Sequence, residues 1–91
     1  MYAAAPTLQS DDELHRQAYN SAFDELGLAW HWDRATYAWL PEGPGRVRAY
    51  VEREHPHLLR SYDAEFLVNA VESAKSRCHA VMESRRAQRA S

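Results

Sequence analysis

The sequence predicts an all-α fold, a small single domain of about four helices that ends in a long C-terminal helix. Three observations carry this. Apolar residues recur at helical spacing in separate stretches, proline and glycine fall between those stretches and not within them, and no run alternates long enough to make a sheet. At 91 residues, with 45% hydrophobic and 26% charged side chains, the chain has the length and composition of one globular domain with one core.

Residues 1 to 9 lack periodicity and contain Pro6, so they read as a flexible arm; residues 10 to 85 read as the helical domain, and residues 86 to 91 as a basic C-terminal tail. The first helix starts at Ser10, three residues before Glu13, in the pattern where the serine caps an N3 amide and the glutamate reaches back. Leu14, Ala18, Ala22, Phe23 and Leu26 follow at helical spacing, and Tyr19 widens that face. Asp11, Asp12 and Glu13 suit the positive end of the helix dipole, and Gly27 offers a left-handed stop.

Leu28 to Trp32 is too short and isolated for a sheet and reads as an extended connector. Asp33 then caps a short helix from Arg34 to about Leu40, with Trp32 at N′ and Tyr37 at N4 in the positions of a hydrophobic staple. Pro41-Glu42-Gly43-Pro44-Gly45 stops it. A third helix starts near Pro44 or Gly45, turns Val47, Tyr50 and Val51 inward, and closes before Pro56, leaving His55-Pro56-His57 as a connector.

The last helix starts from Ser61 or Asp63 and runs to about residue 85, with Phe66, Leu67, Ala70, Val71, Ala74, Cys78, Val81 and Met82 as its apolar stripe. Some 24 residues at about 1.5 Å each span about 36 Å, whereas a compact chain of this size has a radius of gyration of about 12 Å. The last turns are therefore expected to overhang. Leu67, Val71, Ala74, Cys78 and Val81 are spaced 4-3-4-3, which suits either internal packing or a seam against a second copy.

The formal net charge of −2 argues against nucleic acid as a partner. The charge is uneven: seven acidic and two basic residues lie in 1–45, against six acidic and nine basic in 46–91. A single cysteine allows no internal disulfide, and no window approaches the ~18 apolar residues of a membrane span, so a reducing cytoplasm is the expected setting.

Residues 14 to 40 resemble the start of the cap domain in CbbY-like phosphatases of the haloacid dehalogenase superfamily. The resemblance rests on the pair His15-Arg16, on Ala18-Tyr19-Asn20-Ser21-Ala22-Phe23, on Gly27-Leu28, and on Trp30, Trp32 and Tyr37 before a short helix; Gly45-Arg46-Val47-Arg48-Ala49-Tyr50 continues it. It implies a helical cap and a place for His15 near a phosphate. The family's Asp-x-Asp-x-Thr nucleophile loop is not in the sequence, since Gln9-Ser10-Asp11-Asp12-Glu13 precedes His15, and the family's downstream lysine and magnesium-binding aspartates are missing as well. No phosphoryl transfer through an aspartyl phosphate is expected without them.

No other catalytic constellation appears. Cys78 and His79 are neighbours on a helix and point about 100° apart, so they do not form a thiolate–imidazole pair. His31, His55 and His57, with Glu54 or Asp33, offer ligands to a weak zinc site, but His-x-His without two further fixed ligands falls short of one, and no cofactor is expected. Trp30, Trp32, Tyr37 and Trp39 crowd ten residues, either as core or as a docking surface, with Trp32 internal and Trp39 outermost. Arg85, Arg86 and Arg89 can complement the helix dipole or meet phosphate or an acidic partner.

These features favour a non-catalytic protein interaction module. It would meet a partner through Trp30, Trp32, Tyr37 and Trp39, or a second copy through Val71, Cys78 and Val81 as a homodimer. The alternatives are a cap-like accessory of a separate haloacid dehalogenase-type hydrolase and a zinc-binding regulator.

Overall fold

The computed structural model describes residues 11–43 and 45–90. Five helices follow one another: α1 (Asp11–Glu25), α2 (Arg34–Trp39), α3 (Gly45–Glu54), α4 (Leu58–Ser61) and α5 (Ala64–Ala90), with no strand among the described residues. The expected arm, the Ser10 cap and Pro44 lie outside them.

Local signals decide where the helices end. α1 closes in a Schellman motif: Gly27 sits at φ +74, Leu28 N–H donates to the Phe23 carbonyl at 2.8 Å, and Gly27 N–H donates to the Asp24 carbonyl at 3.1 Å. The Asp33 carboxylate accepts from Thr36 N–H at 2.8 Å and caps α2, while the Trp32 and Tyr37 rings lie 6.4 Å apart as the staple requires. Asp63 accepts from Glu65 N–H at 3.2 Å and starts α5.

Leu28 to Trp32 is an extended connector with no neighbouring strand, so its backbone groups need other partners. Asn20 supplies them. Its side-chain oxygen accepts from Trp32 N–H at 2.7 Å and its amide donates to the Trp32 carbonyl at 3.0 Å, where Arg16 also donates at 3.0 Å. Arg16 is held in turn by Glu13 at 2.5 Å, and Glu13 also meets Gln17 at 3.1 Å and Arg34 at 3.5 Å. The hydrogen bonds from Arg16 hold the Glu13 carboxyl at about 2, against an ordinary 4.5.

A carboxylate so depressed contributes stability above pH ~4.5 that is lost as pH falls towards ~2, because the unfolded chain takes up the proton first. Glu13→Gln is therefore expected to flatten the acid limb of the stability curve between those values. Thermal unfolding of both chains across that range checks it; parallel curves would contradict the depressed value.

The core gathers Tyr19, Phe23, Trp30, Trp32, Leu40, Val47, Tyr50, Val51 and Val71, with Leu14, Ala18, Ala22 and Ala74 also buried. α5 packs chiefly against α1 and secondarily against α3, and α3 also meets α4. Val47, Tyr50 and Val51 turn inward as their spacing requires.

The all-α class with a long last helix holds, and three details differ. Leu58–Ser61 forms a fifth, single-turn helix, held by Tyr62 N–H donating to the Leu58 carbonyl at 2.8 Å; four residues are too few to show a period. α5 continues to Ala90, beyond the expected end near residue 85. Its apolar stripe is also narrower inside than the sequence suggests: Val71 and Ala74 are buried, but Phe66 is 61% and Val81 49% exposed, because among the described helices α5 packs chiefly on α1 and secondarily on α3. Leu26, beyond the last turn of α1, is likewise exposed. The radius of gyration is 14.5 Å and the longest extent 47 Å, against the roughly 12 Å radius of a compact chain of this size.

Candidate functional site

α1 and α5, with α3 and the loop after α2, leave a polar cleft of about 610 Å³ between them. α1 contributes Asp12, His15 and Tyr19, α2 contributes Tyr37, the loop Glu42 and Gly43, α3 Arg46, and α5 Val68, Asn69, Glu72 and Lys75. Tyr19 is the hub. Its hydroxyl donates to Glu72 at 2.6 Å, which joins α1 to α5, and burial together with that bond pushes the phenol well above its usual range.

Two cations face the same aromatic surface. The Arg46 guanidinium lies 4.5 Å from the Tyr37 ring centre and 5.8 Å from that of Tyr19, and the Lys75 ammonium lies 5.1 Å from Tyr19 on its own account. Arg46 Nε is buried with no hydrogen-bond partner among the described residues. Burial lowers the Lys75 pKa, as does the neighbouring Arg46, while Glu72 works the other way. Two concentrated, partly desolvated cations on a tyrosine platform can hold an oxyanion, and Asp12, Glu42 and Glu72 on the remaining wall suit hydroxyl donors.

Of the residues singled out from the sequence, Trp30 and Trp32 are buried in the core, while Tyr37 lines the cleft. Trp39 is 42% exposed beneath Arg53, whose guanidinium lies 4.2 Å from the ring centre. Val71 is spent inside the core; Cys78 is half-buried and Val81 exposed. Burial raises the Cys78 pKa, and the Glu25 carboxylate beside it adds to that, so the thiol is a poor nucleophile. Arg85 is exposed and lines a groove with Ser21 and Glu25 of α1, Arg86 pairs with Glu83 at 3.0 Å, and the side chain of Arg89 lies outside the described part.

The zinc reading finds no support in the geometry. The His55 ring stacks on Trp30 at 5.2 Å and meets His57 edge-on at 5.9 Å, and among the described residues no three His, Cys, Asp or Glu side chains are placed to hold one ion. No described helix is long and apolar enough to cross a membrane. His15, for which the family resemblance implies a place near a phosphate, lines the cleft, and so do Arg46, Lys75 and Glu72, which carry no site signal in the sequence. Their common location depends on how three helices pack, which no periodicity reveals.

Comparison with known proteins places the chain beside two curated relatives. It is 35% identical over 77 residues to "Protein CbbY, plasmid" of Cupriavidus necator, a stretch covering 81% of this chain and 30% of that protein. It is 52% identical over 31 residues to "Protein CbbY" of Cereibacter sphaeroides, covering 34% of this chain and 14% of that one. The chain thus spans less than a third of the length of either relative. No protein-family model matches it, and neither does any solved structure.

Proposed function

We propose, from this partial homology to CbbY proteins, that the chain is a cap-like helical unit serving a haloacid dehalogenase-type phosphatase core. It does no chemistry itself. It covers a phosphorylated small molecule at the separate core, and a phosphate of that molecule sits between Arg46 and Lys75 while its hydroxyls meet Glu42 and Glu72. Covering the reaction excludes water and strengthens the polar contacts beneath. The observation that carries this reading is the cleft itself, with two cations facing one tyrosine platform. The lack of an Asp-x-Asp-x-Thr sequence supports the non-catalytic role.

Titration with orthophosphate and with ribose 5-phosphate, followed by amide NMR shifts, tests it. The sugar phosphate is expected to bind and to shift residues of α1, α3 and α5 around the cleft; Arg46→Gln and Lys75→Met are each expected to weaken it by about tenfold, the scale of one charged hydrogen bond. Binding that ignores both substitutions overturns the assignment of the cleft. Hydrolysis of p-nitrophenyl phosphate by the purified chain overturns the non-catalytic role.

A second reading, an interaction module that pairs with its own copy, is favoured by the overhang of α5. There Val81 is exposed beside a groove of about 440 Å³ lined by Ser21, Glu25, Arg77, Cys78, Met82 and Arg85.

A further inference from the structure

We infer that two copies of the chain pair antiparallel along the C-terminal half of α5, about a two-fold axis at Val81 that sets Arg85 of each copy on Glu25 of the other. The inference rests on the second reading above, pairing with its own copy, and adds the arrangement. On α5 the groove is lined at positions 77, 78, 81, 82 and 85, which share one face of the helix, and Ser21 and Glu25 of α1 form the opposite wall. Val81 is 49% exposed at the centre of that face, and its exposed neighbours Ala80 and Ser84 are small enough to let a second helix come close.

Charge selects the occupant. Arg77 and Arg85 stand at the two ends of the face, eight residues or about 12 Å apart. Glu25 holds Arg77 through Oε2, while Oε1 takes the Cys78 thiol, a weak donor, at 3.9 Å, so the carboxylate has room for a further cation. Arg85 is exposed and has no acidic partner among the described residues. Each copy thus offers one free cation and one half-used carboxylate, at opposite ends of the same face.

Only one register brings them together. In an antiparallel neighbour centred on Val81, the residue four positions after the axis lies opposite the residue four positions before it. Arg85 then faces Arg77 of the second copy and meets the Glu25 beside it, so each carboxylate bridges two guanidiniums, and the contact is made twice. A parallel neighbour would set Arg77 on Arg77 and Arg85 on Arg85, and like charges in contact oppose association. The spacing of Glu25 from Arg85 is fixed before the copies meet. α1 is anchored on α5 by the Tyr19 hydroxyl on Glu72 at 2.6 Å and by the parallel rings of His15 and His79, whose centres lie 4.3 Å apart.

Contact over a few helical turns is small for a specific interface, so a dissociation constant of about 10–100 µM is expected. Sedimentation velocity from about 5 to 500 µM tests the arrangement on the native chain, Glu25→Arg, Arg85→Glu and the double variant. Each single reversal turns two attractions into two repulsions and is expected to weaken the dimer by about tenfold. The double variant keeps the same charges with the roles exchanged, and is expected to return to within about threefold of the native affinity. A dimer indifferent to the single reversals, or one that the double variant does not restore, overturns the placement of Arg85 on Glu25 but leaves pairing itself standing. A native chain that is monomeric throughout ends both.

All four chains are checked for helicity by circular dichroism. If a charge variant is unfolded, cross-linking decides, with Val81→Cys in a Cys78→Ser chain set against the native chain under diamide. The first places its thiols at the axis, whereas the two native Cys78 residues lie about 9 Å apart along the paired helices, beyond disulfide reach. The first is expected to form covalent dimers about tenfold faster, and equal rates overturn the inference.

Discussion

Trp32→Ala is expected to lower the midpoint of thermal unfolding by about 20 °C, the largest effect of any single truncation in this chain. Trp32 is fully buried, with ring centres of Tyr19 at 4.8 Å, Phe23 at 4.9 Å and Tyr50 at 5.3 Å around it. It therefore ties α1, the connector and α3 into one core. Removing a buried indole costs about 3–5 kcal/mol, through lost burial and the cavity left behind. Domains have only about 5–15 kcal/mol in all, and small ones lie at the low end. The control is Trp39→Ala, which removes an indole that is already 42% exposed and should cost far less. Far-ultraviolet circular dichroism against temperature separates the two; equal losses would contradict the placement of Trp32 at the centre.

Val71→Glu is expected to unfold the chain outright. Val71 is 1% exposed in the cluster with Tyr19, Phe23 and Val51. A carboxylate there loses its hydration, and no cation belongs to that cluster, so the cost is several kcal/mol whether the group stays charged or takes up a proton. Val81→Glu falls on a side chain that is 49% exposed and should change stability by no more than about 0.5 kcal/mol. The contrast gives self-association a clean measurement. The native chain and Val81→Glu alone are compared for mass over a hundredfold dilution, since any variant carrying Val71→Glu would confuse unfolding with dissociation. A native dimer that Val81→Glu dissociates supports pairing through the end of α5, and a native monomer at every concentration ends that reading.

The stripe on α5 marks how far a pattern can be read. Phe66, Val71 and Val81 look equivalent by spacing, yet only Val71 is buried. Periodicity specifies a face of a helix, and the number of neighbouring helices specifies how much of that face is covered. The Trp-rich stretch divides in the same way: its staple identified Trp32 as internal, but Trp30 is held, besides Phe23, by Tyr50 and His55, which lie far along the chain. Asn20 gave no signal of its role either, because an asparagine within an amphipathic helix reads as solvated until an unpaired connector is laid beside it.

By itself the sequence determined the all-α class, the ends of α1 and α2, the start of α5 and the inward face of α3. These follow from caps, left-handed glycines and spacing that act within a turn or two of their own helix, as Asp33 does on Thr36 and Gly27 does at Phe23. Only the tertiary structure decided the cleft of Arg46, Lys75 and Glu72, the stack of His15 on His79 and the burial pattern of α5. Tyr19 and Glu72 meet across 53 residues of chain. Such a meeting depends on the angle and register at which two helices pack, a property that neither helix carries in its own residues.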